Sequence, residues 1–72
     1  MRVEMIDVQQ QILREIEDPL MTRDDVAFTY AFGLRSSEII NWAAVNRAIM
    51  DRWSVSALTY IKEKAWKRVE GR

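Results

Sequence analysis

Apolar residues recur every three to four positions along most of this 72-residue chain. No stretch keeps up the alternation of two that a half-buried strand requires, so the pattern predicts helices. Start and stop signals then set their ends. A first helix is expected over about residues 3–17, with Val3, Ile6, Leu13, Ile16 and then Leu20 on one side, and Met5, Val8 and Ile12 widening that stripe. Pro19 disfavours helical geometry at Asp18 and stops it there. A second helix is expected over 23–32. Thr22 is its cap, with a hydroxyl placed to accept from the N–H of Asp25, and Asp24 and Asp25 suit the positive end of the helix dipole. This helix carries Val26, Ala27, Phe28, Tyr30, Ala31 and Phe32; Gly33 reads as the left-handed residue that closes it, with apolar Leu34 following.

A third helix is expected over 37–52, capped by Ser36 or Ser37. It bears Ile39, Ile40, Trp42, Ala43, Ala44, Val45, Ala48, Ile49 and Met50, apolar nearly all round, which makes it the expected centre of the fold. Ser54 or Ser56 opens a fourth helix over 55–70. Its core stripe is Val55, Leu58, Ile61, Ala65 and Val69, with Tyr60 and Trp66 at the flanks. Helices joined by such short connections imply one all-α domain over residues 1–72, a compact bundle or a set of crossed pairs.

Composition sharpens this picture. The chain is 49% apolar, with three Trp, two Tyr and two Phe, which argues against disorder. A core of this size supplies a surplus of roughly 3–5 kcal/mol over chain entropy. With no Cys and no His, neither a disulfide nor a zinc site can staple it. Self-association is the remaining staple, so a homo-oligomer, with a dimer favoured, is expected. Residues 1–16 are too polar for the apolar core of a signal peptide, and no run approaches the roughly 20 apolar residues of a membrane span. The expectation is a cytoplasmic protein without a membrane partner.

The same composition narrows the chemistry. Without His or Cys, imidazole or thiolate metal ligation and Cys- or His-based nucleophilic schemes are excluded. Ser36, Ser37, Ser54 and Ser56 all sit where helices begin, and read as caps. Asp24 and Asp25 are adjacent on a helix and do not face each other. Gly33 and Gly71 stand alone, so there is no phosphate-cradling loop. A chain this small also has little room for a ligand pocket. No catalysis, metal, cofactor or small-molecule substrate is expected.

Net charge is zero but unevenly spread. Residues 1–21 hold Arg2 and Arg14 against Glu4, Asp7, Glu15, Glu17 and Asp18, a net −3; residues 54–72 hold Lys62, Lys64, Lys67, Arg68 and Arg72 against Glu63 and Glu70, a net +3. The third and fourth helices invite a helix-turn-helix comparison. Ala48 takes the small position, Trp53 and Ser54 the turn, and Leu58 and Ile61 the apolar anchors. Ser56, Thr59 and Tyr60 then lie near bases, with Lys62, Lys64, Lys67 and Arg68 on phosphates. Arg52 stands where such a turn has glycine, and Asp51 where it has an apolar residue, so the match is partial. A solvated helix end explains the same cations, through the dipole and the Glu63–Lys67 spacing.

Glu15, Glu17 and Asp18 crowd the negative end of the first helix and call for a cationic neighbour. The basic end of the fourth helix, from this chain or a second copy, is the expected supplier. Ile39, Trp42, Asn46, Ile49 and Trp53 form a heptad-like seam with an amide at its middle, which either sets register in an interface or is an ordinary core amide. Two functional readings follow. One is a non-enzymatic interaction module, binding its own copy or another protein through Trp42, Asn46, Trp53 and Trp66; chain size suits a regulator, inhibitor or assembly accessory of phage or mobile-element type. The other is DNA binding through the fourth helix.

Overall fold

The computed structural model describes residues 7–71, and among them are four α-helices and no strand: α1 (Val8–Glu17), α2 (Arg23–Arg35), α3 (Trp42–Arg52) and α4 (Val55–Gly71). The stripe positions Val3, Met5 and Ile6 lie outside the described residues. Three helix ends form where the sequence places them. The Asp18 N–H turns back to the carbonyls of Arg14 and Glu15 to close α1 ahead of Pro19. At α2 the Asp25 N–H donates to the Thr22 hydroxyl at 3.1 Å and the Thr22 N–H donates to the Asp25 carboxylate at 3.0 Å, a reciprocal capping box. These bonds from Thr22 hold the Asp25 carboxyl below its ordinary pKa. At α4 the Ala57 N–H donates to the Ser54 hydroxyl at 3.2 Å, which selects Ser54 over Ser56 as the opener.

Three boundaries differ from expectation. Helix α1 begins at Val8 rather than near residue 3, because Asp7 is extended and caps it by accepting from the Gln10 N–H at 3.2 Å. Helix α2 runs through Gly33 to Arg35, and no glycine among the described residues has a positive φ. Gly33 is therefore helical, and its lack of a side chain serves packing. A Cβ there would lie 3.0 Å from Trp42 Cη2, 3.1 Å from Ile40 Cδ1 and 3.3 Å from Val8 Cγ1. Helix α3 begins at Trp42, capped by Asn41 rather than by Ser36 or Ser37. Residues 36–41 are instead tied to the start of α1. Glu38 accepts from the Val8 N–H at 3.0 Å, and the Asn41 N–H donates to the Gln9 side chain at 2.8 Å. Those bonds satisfy a free helix donor that the sequence pattern does not reveal. They leave Ile40 buried as a plug and Ile39 fully exposed, so the seam begins at Trp42.

Helix α2 packs against α1 on one side and α4 on the other, and α3 likewise contacts α1 and α4. Side chains alone bridge α2 and α3. Helices α1 and α3 run in the same direction, since Val8 and Gln9 meet the connector at one end while Arg52 reaches Ile16 at the other. The core comprises Val8, Ile12 and Ile16 of α1, Val26, Ala27, Tyr30 and Ala31 of α2, Ile40, Val45 and Ile49, and Ile61 and Ala65 of α4. Helix α2, not α3, is the central one: it buries five residues against two for α3. Three of the apolar positions of α3 are alanines, which cost little when exposed and do not force a helix inward. The stripe ends Leu20 and Val55 are 87% and 66% exposed. In α4 the buried row is Ala57, Ile61 and Ala65, where the two alanines admit a close neighbour on either side of Ile61, with Leu58 and Val69 half-buried.

The cation beside the acidic end of α1 comes from α3, not α4. The Arg52 guanidinium donates to the carbonyls of Ile16 at 2.7 Å, Asp18 at 2.8 Å and Met21 at 3.3 Å, and its Cζ lies 4.3 Å from the Trp53 ring centre. Helices α1 and α4 make no direct backbone approach, so the expected docking of α1 onto the basic end of α4 does not occur within the chain. No helix among the described residues is long and apolar enough to cross a membrane.

Replacing a mid-helix glycine by alanine ordinarily gains about 1 kcal/mol. For Gly33→Ala the three short contacts cancel or outweigh that gain, so urea denaturation is expected to show no increase in stability. An increase of about 1 kcal/mol would mean that the junction of α1, α2 and Trp42 has slack.

Candidate protein-interaction surface

Helical spacing sends Val26, Tyr30 and Gly33 of α2 inward, and the same spacing sends Phe28 and Phe32 to the opposite side. The two rings stand one turn apart, 58% and 52% exposed. Both margins of this apolar ridge are charged. On the α4 side the Arg68 guanidinium lies 4.7 Å from the Phe28 ring centre, and Arg35 and Arg68 line a recess with Phe28 and Phe32. On the α1 side Glu15, Asp18 and Asp25 line a second recess with Leu20, Met21 and Phe28. Phe28 thus separates an acidic margin from a basic one. The surface recesses span about 400 to 530 Å3, all open to solvent rather than enclosed.

Hydrogen bonds fix the basic margin. The Tyr60 hydroxyl donates to the Asp24 carboxylate at 2.7 Å, joining the start of α2 to α4. Arg23 and Lys64 sit 5.5 Å and 5.7 Å from the Tyr60 ring centre. On the acidic margin the Gln11 amide donates to one oxygen of Glu15 at 3.0 Å, while the other oxygen is out of contact with solvent and has no hydrogen-bond partner among the described residues.

The four residues read from sequence as an interface are not gathered in one patch. Trp42 is half-buried against Tyr30, ring centres 4.6 Å apart, and Asn46 accepts from the Tyr30 hydroxyl at 2.8 Å. Asn46 thus has the partner of an ordinary core amide. Trp53 closes α3 and supports Arg52. Trp66 is 47% exposed, on the far side of α4 from the phenylalanine ridge, where it lines a recess with Thr59, Lys62, Glu63, Lys67 and Glu70.

The residues read as nucleic-acid contacts divide between these faces of α4. Tyr60, Lys64 and Arg68 turn toward α2, while Thr59 and Lys62 share the recess of Trp66, and Lys67 borders both. Ser56 pairs with Ser54 at 3.0 Å. In the turn between α3 and α4 no residue has a positive φ, so the feature that a glycine confers on a helix-turn-helix is missing, and Asp51 is an exposed partner of Arg47 at 3.8 Å. Ile61 is buried and Leu58 half-buried, as anchors of α4.

Sequence reasoning grouped Phe28 and Phe32 with the other apolar residues of their helix and did not single out their exposure. The signal was present. Positions 26, 27, 28, 30, 31 and 32 cover too wide an arc for one buried face.

Both tyrosines of the chain are held above their ordinary pKa of 10.0. Burial raises Tyr30, opposed by its bond to Asn46. The hydrogen bond to Asp24 raises Tyr60, with desolvation and the Asp24 charge adding and Arg23 opposing. A phenol with a raised pKa in the folded state stabilises the fold fully below pH 10 and loses that contribution as pH rises through the folded value. Ultraviolet titration of tyrosinate is therefore expected to show both midpoints above 10 in the folded chain, and both moving down to about 10 in denaturant. A tyrosine with an ordinary midpoint in the folded chain would contradict these contacts.

No protein-family model matches the chain, and no curated protein or solved structure is significantly similar to it.

Proposed function

We propose that the chain is a non-enzymatic protein-interaction module that binds a partner protein through the outer face of α2. One observation carries this: Phe28 and Phe32 stand exposed one turn apart between margins of opposite charge. Leaving two neighbouring rings about half exposed forgoes roughly half of the 1.5–3 kcal/mol that full burial of each would contribute, and phenylalanine and arginine are both enriched at protein interfaces. The charged margins restrict which partners fit and in which orientation. Regulation, inhibition or accessory assembly are roles such a module serves without catalysis.

The basic exterior of α4 supports a second reading, contact with nucleic-acid phosphates through Lys62, Lys64 and Lys67, all exposed. Glu63 and Glu70 among them and the engaged Tyr60 hydroxyl weigh against it.

The test is a photoreactive benzophenone side chain installed at Phe32, with Arg47 on the exposed side of α3 as the control position, in cells of the native host. Discrete protein adducts at position 32 and none at position 47 are expected. Absence of adducts at 32, or equal labelling at both positions, would overturn the reading. DNA binding whose salt slope falls by about 1 for each cation removed from α4 would replace it with the second.

A further inference from the structure

We propose that the partner on this face is a second copy of the chain, paired about a two-fold axis that lies along α2. The inference rests on the interaction reading above and names its occupant. Helices α1 and α4 flank α2 on opposite sides without approaching each other, so the face has an ordered cross-section: acidic margin, phenylalanine ridge, basic margin. Glu15 and Asp18 mark the first, Lys64 and Arg68 the last. A two-fold axis parallel to α2 turns the second copy so that its acidic margin covers the basic margin of the first, and the reverse, with ridge on ridge. An axis across α2 would bring acid onto acid and base onto base. The charge pattern therefore pairs the face with itself in one orientation, as an isologous dimer requires.

Three further features fit. Net charge is zero, so two copies approach without long-range repulsion. The acidic margin gathers Glu15, Asp18 and Asp25 around one recess, and the lysine and arginine of a second copy's basic margin bring the opposite charge to it. Leu20, 87% exposed beside it, gains cover in the same contact. The dimer also provides the staple that so small a core otherwise lacks.

Complementary charge reversal tests the pairing, read by analytical ultracentrifugation of the full chain. One variant carries Glu15→Lys and Asp18→Lys, the other Lys64→Glu and Arg68→Glu. Circular dichroism checks the helicity of each. Wild type is expected to be a dimer at low salt, weakened about tenfold near 1 M salt, where the screening length is about 3 Å. Each variant alone loses at least tenfold in dimer affinity. An equimolar mixture regains it as a heterodimer, because one half of the interface then keeps the native charges and the other half has both signs exchanged. Recovery on mixing is outside the reach of a purely structural defect. A monomeric wild type, variants that pair as well as wild type, or a mixture that stays monomeric would each overturn the proposal. If self-pairing fails while position 32 still captures another protein, the interaction reading stands without it; if position 32 captures nothing, both fall.

Discussion

One guanidinium holds the end of the bundle where two like dipole ends meet. Because α1 and α3 run in the same direction, their C-termini lie side by side, and each carries the partial negative charge of a helix end. Glu15, Glu17 and Asp18 add three carboxylates to that corner. Arg52 is the last residue of α3, and it donates to carbonyls at the end of α1 and in the loop beyond it. It therefore meets the dipole of its own helix and the carbonyls that end its neighbour at once. Lysine presents a point charge, whereas the planar fork of arginine reaches several carbonyls together and stacks on an aromatic ring, here Trp53.

The rest of the arrangement follows from that corner. With Arg52 on the carbonyls that close α1, the contacts of α4 go to α2, where Tyr60 binds Asp24 and Arg68 lies on Phe28. At the other end, Glu38 and Gln9 tie the connector 36–41 to α1, and Gly33 lets Trp42, Ile40 and Val8 converge on α2. Fixed at both ends, α2 lies between an acidic neighbour and a basic one with its phenylalanines outward. Charge segregation along the sequence thus becomes charge segregation across a face.

Fold class and most helix ends were legible because their causes are local. Pro19 stops a helix, the Thr22–Asp25 pair opens one, and spacing of three to four marks buried rows. What was not legible depends on contacts distant in sequence. Gly33 looked like a helix terminator because a left-handed glycine and a glycine at a crowded contact leave the same letter; only Trp42 and Val8 decide between them. Ser36 is a plausible cap until Glu38 is claimed by the start of α1. The acids of α1 pointed to a cation from the basic fourth helix; the guanidinium at that helix end is instead Arg52 of α3, and it is bonded to backbone carbonyls. For the surface, a count of apolar residues made α3 central and hid Phe28 and Phe32, whereas their angular position on α2 sets them outside.

The most direct test of this account is the thermal midpoint of Arg52→Met, which keeps an apolar stem and removes the donors. Hydrogen bonds to a charged group are worth about 1.5–3 kcal/mol, and 1 kcal/mol shifts the midpoint of a domain this size by about 4–8 °C. The account predicts a fall of about 10 °C, with loss of amide protection at the end of α1 and only partial recovery in Arg52→Lys. A midpoint unchanged to within about 2 °C, or full recovery with lysine, would contradict it.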